Sequence, residues 1–155
     1  MKKFPLVTIL EDIRSALNVG AIFRTSDGAG VEKLCLTGIT PYPPHNRIPK
    51  TALGAVEMMD WEYQKDTVKI VKKLKEDGYT IVSVELSEDA QNYSKFEYPQ
   101  KTALVFGNEI AGVSEEIQKL SDATVYIPMY GDKESLNVAT TYGIMVYEVV
   151  RQWTK

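Results

Sequence analysis

A single cysteine stands among the 155 residues, so no intramolecular disulfide can form and a cysteine-based metal site lacks its ligands. Cys35 lies in the apolar run LCL, Leu34 to Leu36, and reads as a buried strand residue. No apolar run approaches the ~18 residues that cross a bilayer. The opening residues Met1-Lys2-Lys3-Phe4-Pro5 lead into a strand rather than a signal sequence, which makes the cytoplasm the expected location, with no membrane partner. Positive charge is not in excess either. Eighteen Lys and Arg against 21 Asp and Glu leave a net charge of −3, so any nucleic acid would have to be held by a local basic patch and not by bulk charge. The chain has no G-x-G-x-x-G, G-x-x-x-x-G-K-[ST] or G-x-S-x-G, and nucleotide hydrolysis and serine-hydrolase chemistry lose their usual support. Repeats and low-complexity tracts are absent as well.

What remains is a chain of ordinary globular composition, 44% apolar and 25% charged, long enough for one well-buried domain spanning residues 1–155. KFPLVTIL, Lys3 to Leu10, reads as a strand, and Asn18 as the cap of a helix that Gly28 and Gly30 end. Lys33 to Thr37 is a second strand. Gly38 to Lys50 follows as a long irregular loop with four prolines. Thr51 to Tyr63 mixes a helical turn with a short strand, and Asp66 caps an amphipathic helix closed by Gly78. Tyr79 to Leu86 and Thr102 to Phe106 are buried strands around a polar excursion, Ser87 to Gln100. Ser114 caps a short helix, Ala123 to Ile127 is a last strand, and Asn137 to Trp153 a last helix. Strands alternating with helices give an α/β fold with an open, mostly parallel sheet and helices on both faces. In such sheets ligands bind beyond the carboxyl ends of the strands, and the loops after Leu10, Phe106 and Ile127 all begin there.

The stretch from Ile127 to Val149 carries the densest signal. A strand breaks at Pro128, crosses a polar loop and enters a helix at Leu136 to Val138, so unpaired backbone groups face outward while Pro128, Met129 and Leu136 offer an apolar wall. Gly107-Asn108-Glu109 directly follows another buried strand, where glycine allows a sharp turn against a ligand or simply an ordinary turn. Glu109 can bind a hydroxyl, pair with an arginine or sit in water. Arg24 lies one turn beyond Gly20 on its helix and need not share the buried face. Ser135 and Asn137 stand at the mouth of the last helix, where capping alone would explain either.

Three motifs in order join these residues. IPM-x-G-x-x-x-SLNVA from Ile127, LNVGAIFRTSDGAGVEKL from Leu17 and LVFGNEIAGVSEEI from Leu104 resemble motifs 3, 1 and 2 of the SpoU (TrmH-like) RNA ribose methyltransferases of the SPOUT superfamily. That resemblance implies a C-terminal deep trefoil knot, which periodicity does not show. It also implies S-adenosylmethionine as cofactor, S-adenosylhomocysteine as product, an RNA substrate and a homodimer. By position in the motifs, Arg24, Asn18, Glu109, Ser135 and Asn137 would form the catalytic set, and Leu86, Gly107, Asn108, Ile127, Pro128, Met129 and Leu136 the cofactor-binding set. NVA stands where NVS is commoner, with Ala139 at the serine position, so a hydroxyl there has no role.

Physics limits the assignment of Arg24: a guanidinium stays protonated, so it serves as electrostatic stabiliser and substrate clamp and not as a free base. Methyl transfer needs no metal, and none is expected. Arg14, Arg47 and Lys50, in polar loops, are candidates for the basic patch that RNA requires, while His45 stays outside the site. The implied activity is methylation of a ribose 2′-hydroxyl, of transfer RNA ahead of ribosomal RNA, by a domain with no appended RNA-binding domain. A non-catalytic RNA-binding or cofactor-sensing module, and methylation of a base, are the alternatives.

Overall fold

The computed structural model describes residues 2–155. Seven strands, β1 (Phe4–Glu11), β2 (Val31–Thr37), β3 (Trp61–Gln64), β4 (Thr80–Val84), β5 (Gln91–Asn92), β6 (Thr102–Phe106) and β7 (Ala123–Tyr126), form one sheet in the order β3-β2-β1-β6-β4-β7-β5. Every neighbouring pair is parallel. All carboxyl ends therefore meet at one edge.

Alternation along each strand decides which helices cover which face. Leu6, Leu10, Leu34, Leu36, Leu104 and Phe106 turn to the side covered by α1 (Ala16–Ala29), α2 (Ile48–Ala52), α3 (Ala55–Met58) and α6 (Val138–Thr154). Val7, Ile9, Cys35, Ile81, Ala103 and Val105 turn to the other, where α4 (Thr67–Glu76) contributes Ile70 and Val71, and α5 (Glu115–Leu120) contributes Ile117. Both faces are dry. The short central strands are consequently apolar almost throughout, as a doubly covered parallel sheet requires.

Four features differ from those read in the sequence. The N-cap of α1 is Ser15, whose side chain accepts from the N–H of Asn18, so Asn18 sits in the first helical turn. Gly28 is inside the helix, which ends at Gly30 in a left-handed conformation. The loop after β2 is not irregular to Lys50, because α2 begins at Ile48 with Pro49 in its first turn, a position where proline lacks no needed N–H. The polar excursion after β4 contains β5, which pairs with β7.

Candidate functional site

At the carboxyl ends of the three adjacent strands β6, β4 and β7 lies a cavity of about 970 Å³. Val84, Phe106 and Tyr126, the last residues of those strands, form its floor. Its walls are the turns that follow, including Leu86, Gly107, Asn108, Ile127, Pro128, Met129 and Leu136. All seven residues assigned to cofactor binding thus line one space. Among the described residues, no backbone hydrogen bond joins Ile127–Leu136 to the rest of the chain. Ile127, Pro128 and Met129 are half-buried, so their polar backbone groups are offered to whatever fills the cavity. Apolar walls with unpaired backbone donors and acceptors suit a flat, nitrogen-rich ring and a short polar chain, the chemistry of an adenosyl cofactor.

Gly107 is required by the turn itself. A Cβ there would collide with the backbone of Gly112 and Val113, so the fold excludes a side chain at this point of the cavity wall. Asn108 holds the same turn. Its Oδ1 accepts from the N–H groups of Ile110 and Ala111, each at 2.9 Å, and its Nδ2 donates to the carbonyl of Asp12 at 2.7 Å. Both ends of the amide are occupied, and Asn108 serves the cavity by shaping it.

Glu109 extends this clamp. Its carboxylate accepts from the N–H of Arg14 (2.9 and 3.1 Å) and of Ser15 (3.1 Å), placing negative charge at the amino end of α1, where the helix dipole favours it. The turn after β6 is thereby tied to the helix that carries Asn18 and Arg24. Asn137 does the same from the other side. Its Oδ1 caps α6 through the N–H groups of Ala139 and Thr140, while its Nδ2 donates to Oδ1 of Asn18 at 3.4 Å. Capping and a site contact are both made by one side chain.

Glu109, Ser135 and Asn137 line the cavity, and Asn18 touches it through Asn137. Arg24 does not. It lies six residues beyond Asn18, about 9 Å along α1 at the helical rise, exposed and without an ion-pair or hydrogen-bond partner among the described residues. Arg14, Arg47 and Lys50 are likewise exposed. His45 accepts from the N–H of Arg47 and borders a second, separate cavity. Among the described residues no cluster of acidic, histidine and cysteine side chains could hold a metal ion.

Sequence reasoning missed two supports. Glu85 borders the cavity and accepts from the N–H of Val113 at 2.8 Å, steadying the wall opposite β7. Its signal was a carboxylate at the end of the apolar run YTIVSVEL. The second is a buried hydroxyl chain between α1, β1 and α6. Ser26 donates to the carbonyl of Ile22 at 2.7 Å, so Tyr142 must donate to Ser26 Oγ at 2.5 Å, and Thr8 to Tyr142 Oη at 2.8 Å. Burial pushes the Tyr142 hydroxyl well above its ordinary value, against the lowering effect of its Ser26 and Thr8 hydrogen bonds, and keeps it protonated.

Residues 5–147 match the model of the SpoU rRNA Methylase family. A tRNA (guanosine(18)-2′-O)-methyltransferase of Thermus thermophilus is 33% identical over 97% of this chain and 76% of its own length. A crystal structure of the Aquifex aeolicus TrmH/SpoU tRNA modifying enzyme superposes with a TM-score of 0.89 at 32% identity, covering 97% of this chain and 76% of that one. An AdoMet-bound rRNA methyltransferase from Sinorhizobium meliloti gives 0.90 at 27%, covering 97% of this chain and 57% of that one.

Proposed function

This chain belongs to the SpoU methylase family, and on that premise we propose that it transfers the methyl group of S-adenosylmethionine to a ribose 2′-hydroxyl of RNA, leaving S-adenosylhomocysteine. The observation that carries the reading is the cavity at the ends of β6, β4 and β7, walled by the unpaired backbone of Ile127–Leu136 and bordered by Glu109, Ser135 and Asn137. Transfer RNA is the first substrate class to test and ribosomal RNA the second, following the tRNA-directed names of the Thermus and Aquifex relatives.

The bound cofactor supplies a methyl already made electrophilic by its sulfonium, so the protein's work is alignment and charge. Ile127, Pro128, Met129, Leu86 and Leu136 would hold it, with Gly107 and Asn108 giving the turn its shape. Asn18 and Asn137, linked side chain to side chain, present amide groups that orient the ribose hydroxyl, and Ser135 adds a hydroxyl at the same rim. Glu109 fixes α1 against the cofactor turn. Arg24 neutralises the alkoxide as it forms and grips the adjacent phosphate. No metal enters this scheme.

The reading includes a threaded C-terminal end, a homodimer and a single catalytic domain working in the cytoplasm. Support for threading is the strand order: the connection from β4 to β6 passes outside β7 to form β5, so β7 and α6 lie within its span. Phe96 and Tyr98 of that connection bond Gln152 and Trp153 at the end of α6. Support for the dimer is Arg24 itself, unpaired among the described residues and off the cavity wall, together with exposed Leu17 and Leu136 near the rim and exposed Tyr147 further along α6. The test is transfer of labelled methyl to unmodified transfer RNA, followed by nuclease digestion. The label is expected in a 2′-O-methyl nucleoside, and Arg24→Ala is expected to abolish transfer while S-adenosylhomocysteine binds as before. Label in a base, or none from a protein that binds cofactor, would refute the ribose reading.

A further inference from the structure

The loop between β2 and α2 has features that cofactor binding does not use. From Lys33 to Val56 the sequence contains no carboxylate, although the whole chain is acidic, and the same stretch holds Arg47, Lys50 and the only histidine. Tyr42 lies in the middle. Its ring stacks on Tyr63 of β3 with centroids 4.1 Å apart and planes 27° from parallel, yet the residue remains 44% exposed. One face is covered and the other is open. Ile39, 66% exposed, stands on the same loop.

The platform is held rigidly. Thr40, fully enclosed, donates to the carbonyl of Leu10 and accepts from the N–H of Ile13. Asp12 accepts from the N–H of Ile39, and Tyr63 Oη donates to the carbonyl of Gly38. Each bond fixes the loop to the carboxyl edge that also bears the cofactor cavity. Strand β2 lies two places from β6, about 10 Å at ordinary strand spacing. At its far end the loop becomes α2, against which Gly20 of α1 packs, and Arg24 lies one turn further along that side of α1.

A preformed aromatic face on a segment that also carries exposed cations and no carboxylate has the elements that bind unpaired bases: the ring stacks and the cations take the phosphates. We infer that the open face of Tyr42 stacks an unpaired base of the RNA substrate close to the methylated nucleotide, with Arg47 and Lys50 on the flanking phosphates. The inference rests on the methyltransferase reading for its substrate. It makes Tyr42 a binding residue, remote from the transferred methyl.

The test uses a short single-stranded oligoribonucleotide carrying 2-aminopurine, whose fluorescence falls on stacking, added to the wild-type protein and to Tyr42→Phe, Tyr42→Trp and Tyr42→Ala variants. Wild type, Phe and Trp variants are expected to quench the probe, whereas Tyr42→Ala binds about tenfold or more weakly and raises KM for transfer RNA with kcat little changed. S-adenosylhomocysteine titration on each variant checks that the fold is intact. Arg47→Glu in a folded background is expected to weaken binding and flatten its salt dependence. Unchanged binding by Tyr42→Ala, equal loss in Tyr42→Phe, or no quenching by wild type would overturn the inference. If wild type stacks the probe through Tyr42 yet transfers no methyl group, the platform stands and the proposed activity fails.

Discussion

Tyr142 shows how a single hydroxyl can matter far from the reacting atoms. Fully enclosed, it receives a hydrogen bond from Thr8 and gives one to Ser26, so β1, α1 and α6 share one buried chain of donors. Tyr142→Phe leaves the Thr8 hydroxyl without its acceptor in a dry core, at a cost of about 1–2 kcal/mol. Urea unfolding should show that loss with an unchanged m-value. The sequence held the clue, a threonine inside the apolar strand KFPLVTIL, but no spacing rule pairs residues 134 positions apart. Asn18 illustrates the opposite case. Its residue type fits a cap, yet Ser15 three residues earlier takes that role, and Asn18 is freed to face Asn137. Cap preference is shared among Ser, Thr, Asp and Asn, so a run such as RSALN leaves the choice to the tertiary context.

At the level of elements, the two helices that border the site are fastened by their amino ends. Glu109 secures α1 and Asn137 caps α6. Asn137→Asp keeps the capping oxygen but loses the Nδ2 donor to Asn18. It should therefore melt within about 0.5 kcal/mol of wild type while methyl transfer falls sharply, whereas Asn137→Ala should lose roughly 1 kcal/mol as well. Calorimetric melting read beside turnover separates the two effects. A common melting loss in both variants would make Asn137 a cap and nothing more. Helices α4 and α6 were legible because their apolar residues recur at helical period beneath Asp66 and Asn137 caps. The short pieces α2 and β5 were not, since two to five residues carry too little periodicity, and their shape comes from neighbours such as Gly20 and β7.

For the molecule as a whole, the parallel sheet and its loaded edge followed from alternating strands and helices. The strand order and the path of the chain between β4 and β6 did not, because topology is set by long-range pairing that local pattern does not encode. Burial on both faces also has a pH consequence. Desolvation pushes the Cys35 thiol from 9.0 up to about 12, so folding holds its proton more tightly than the open chain does. That contribution is complete below pH 9 and is lost as pH rises towards 12. Stability should therefore decline across that window. Below it the folded protein should resist thiol-specific alkylation, with Cys35 reacting only after denaturant is added.

The activity proposed for this molecule depends on an adenosyl cofactor binding in the cavity at the ends of β6, β4 and β7. Calorimetric titration with S-adenosylhomocysteine tests it directly, beside Leu86→Arg, which alters an exposed residue of the wall and spares the tightly packed turn at Gly107. Saturable binding by wild type and by Arg24→Ala, lost in Leu86→Arg, is the result required. A folded wild-type protein that takes up no S-adenosylhomocysteine would contradict the account at its base.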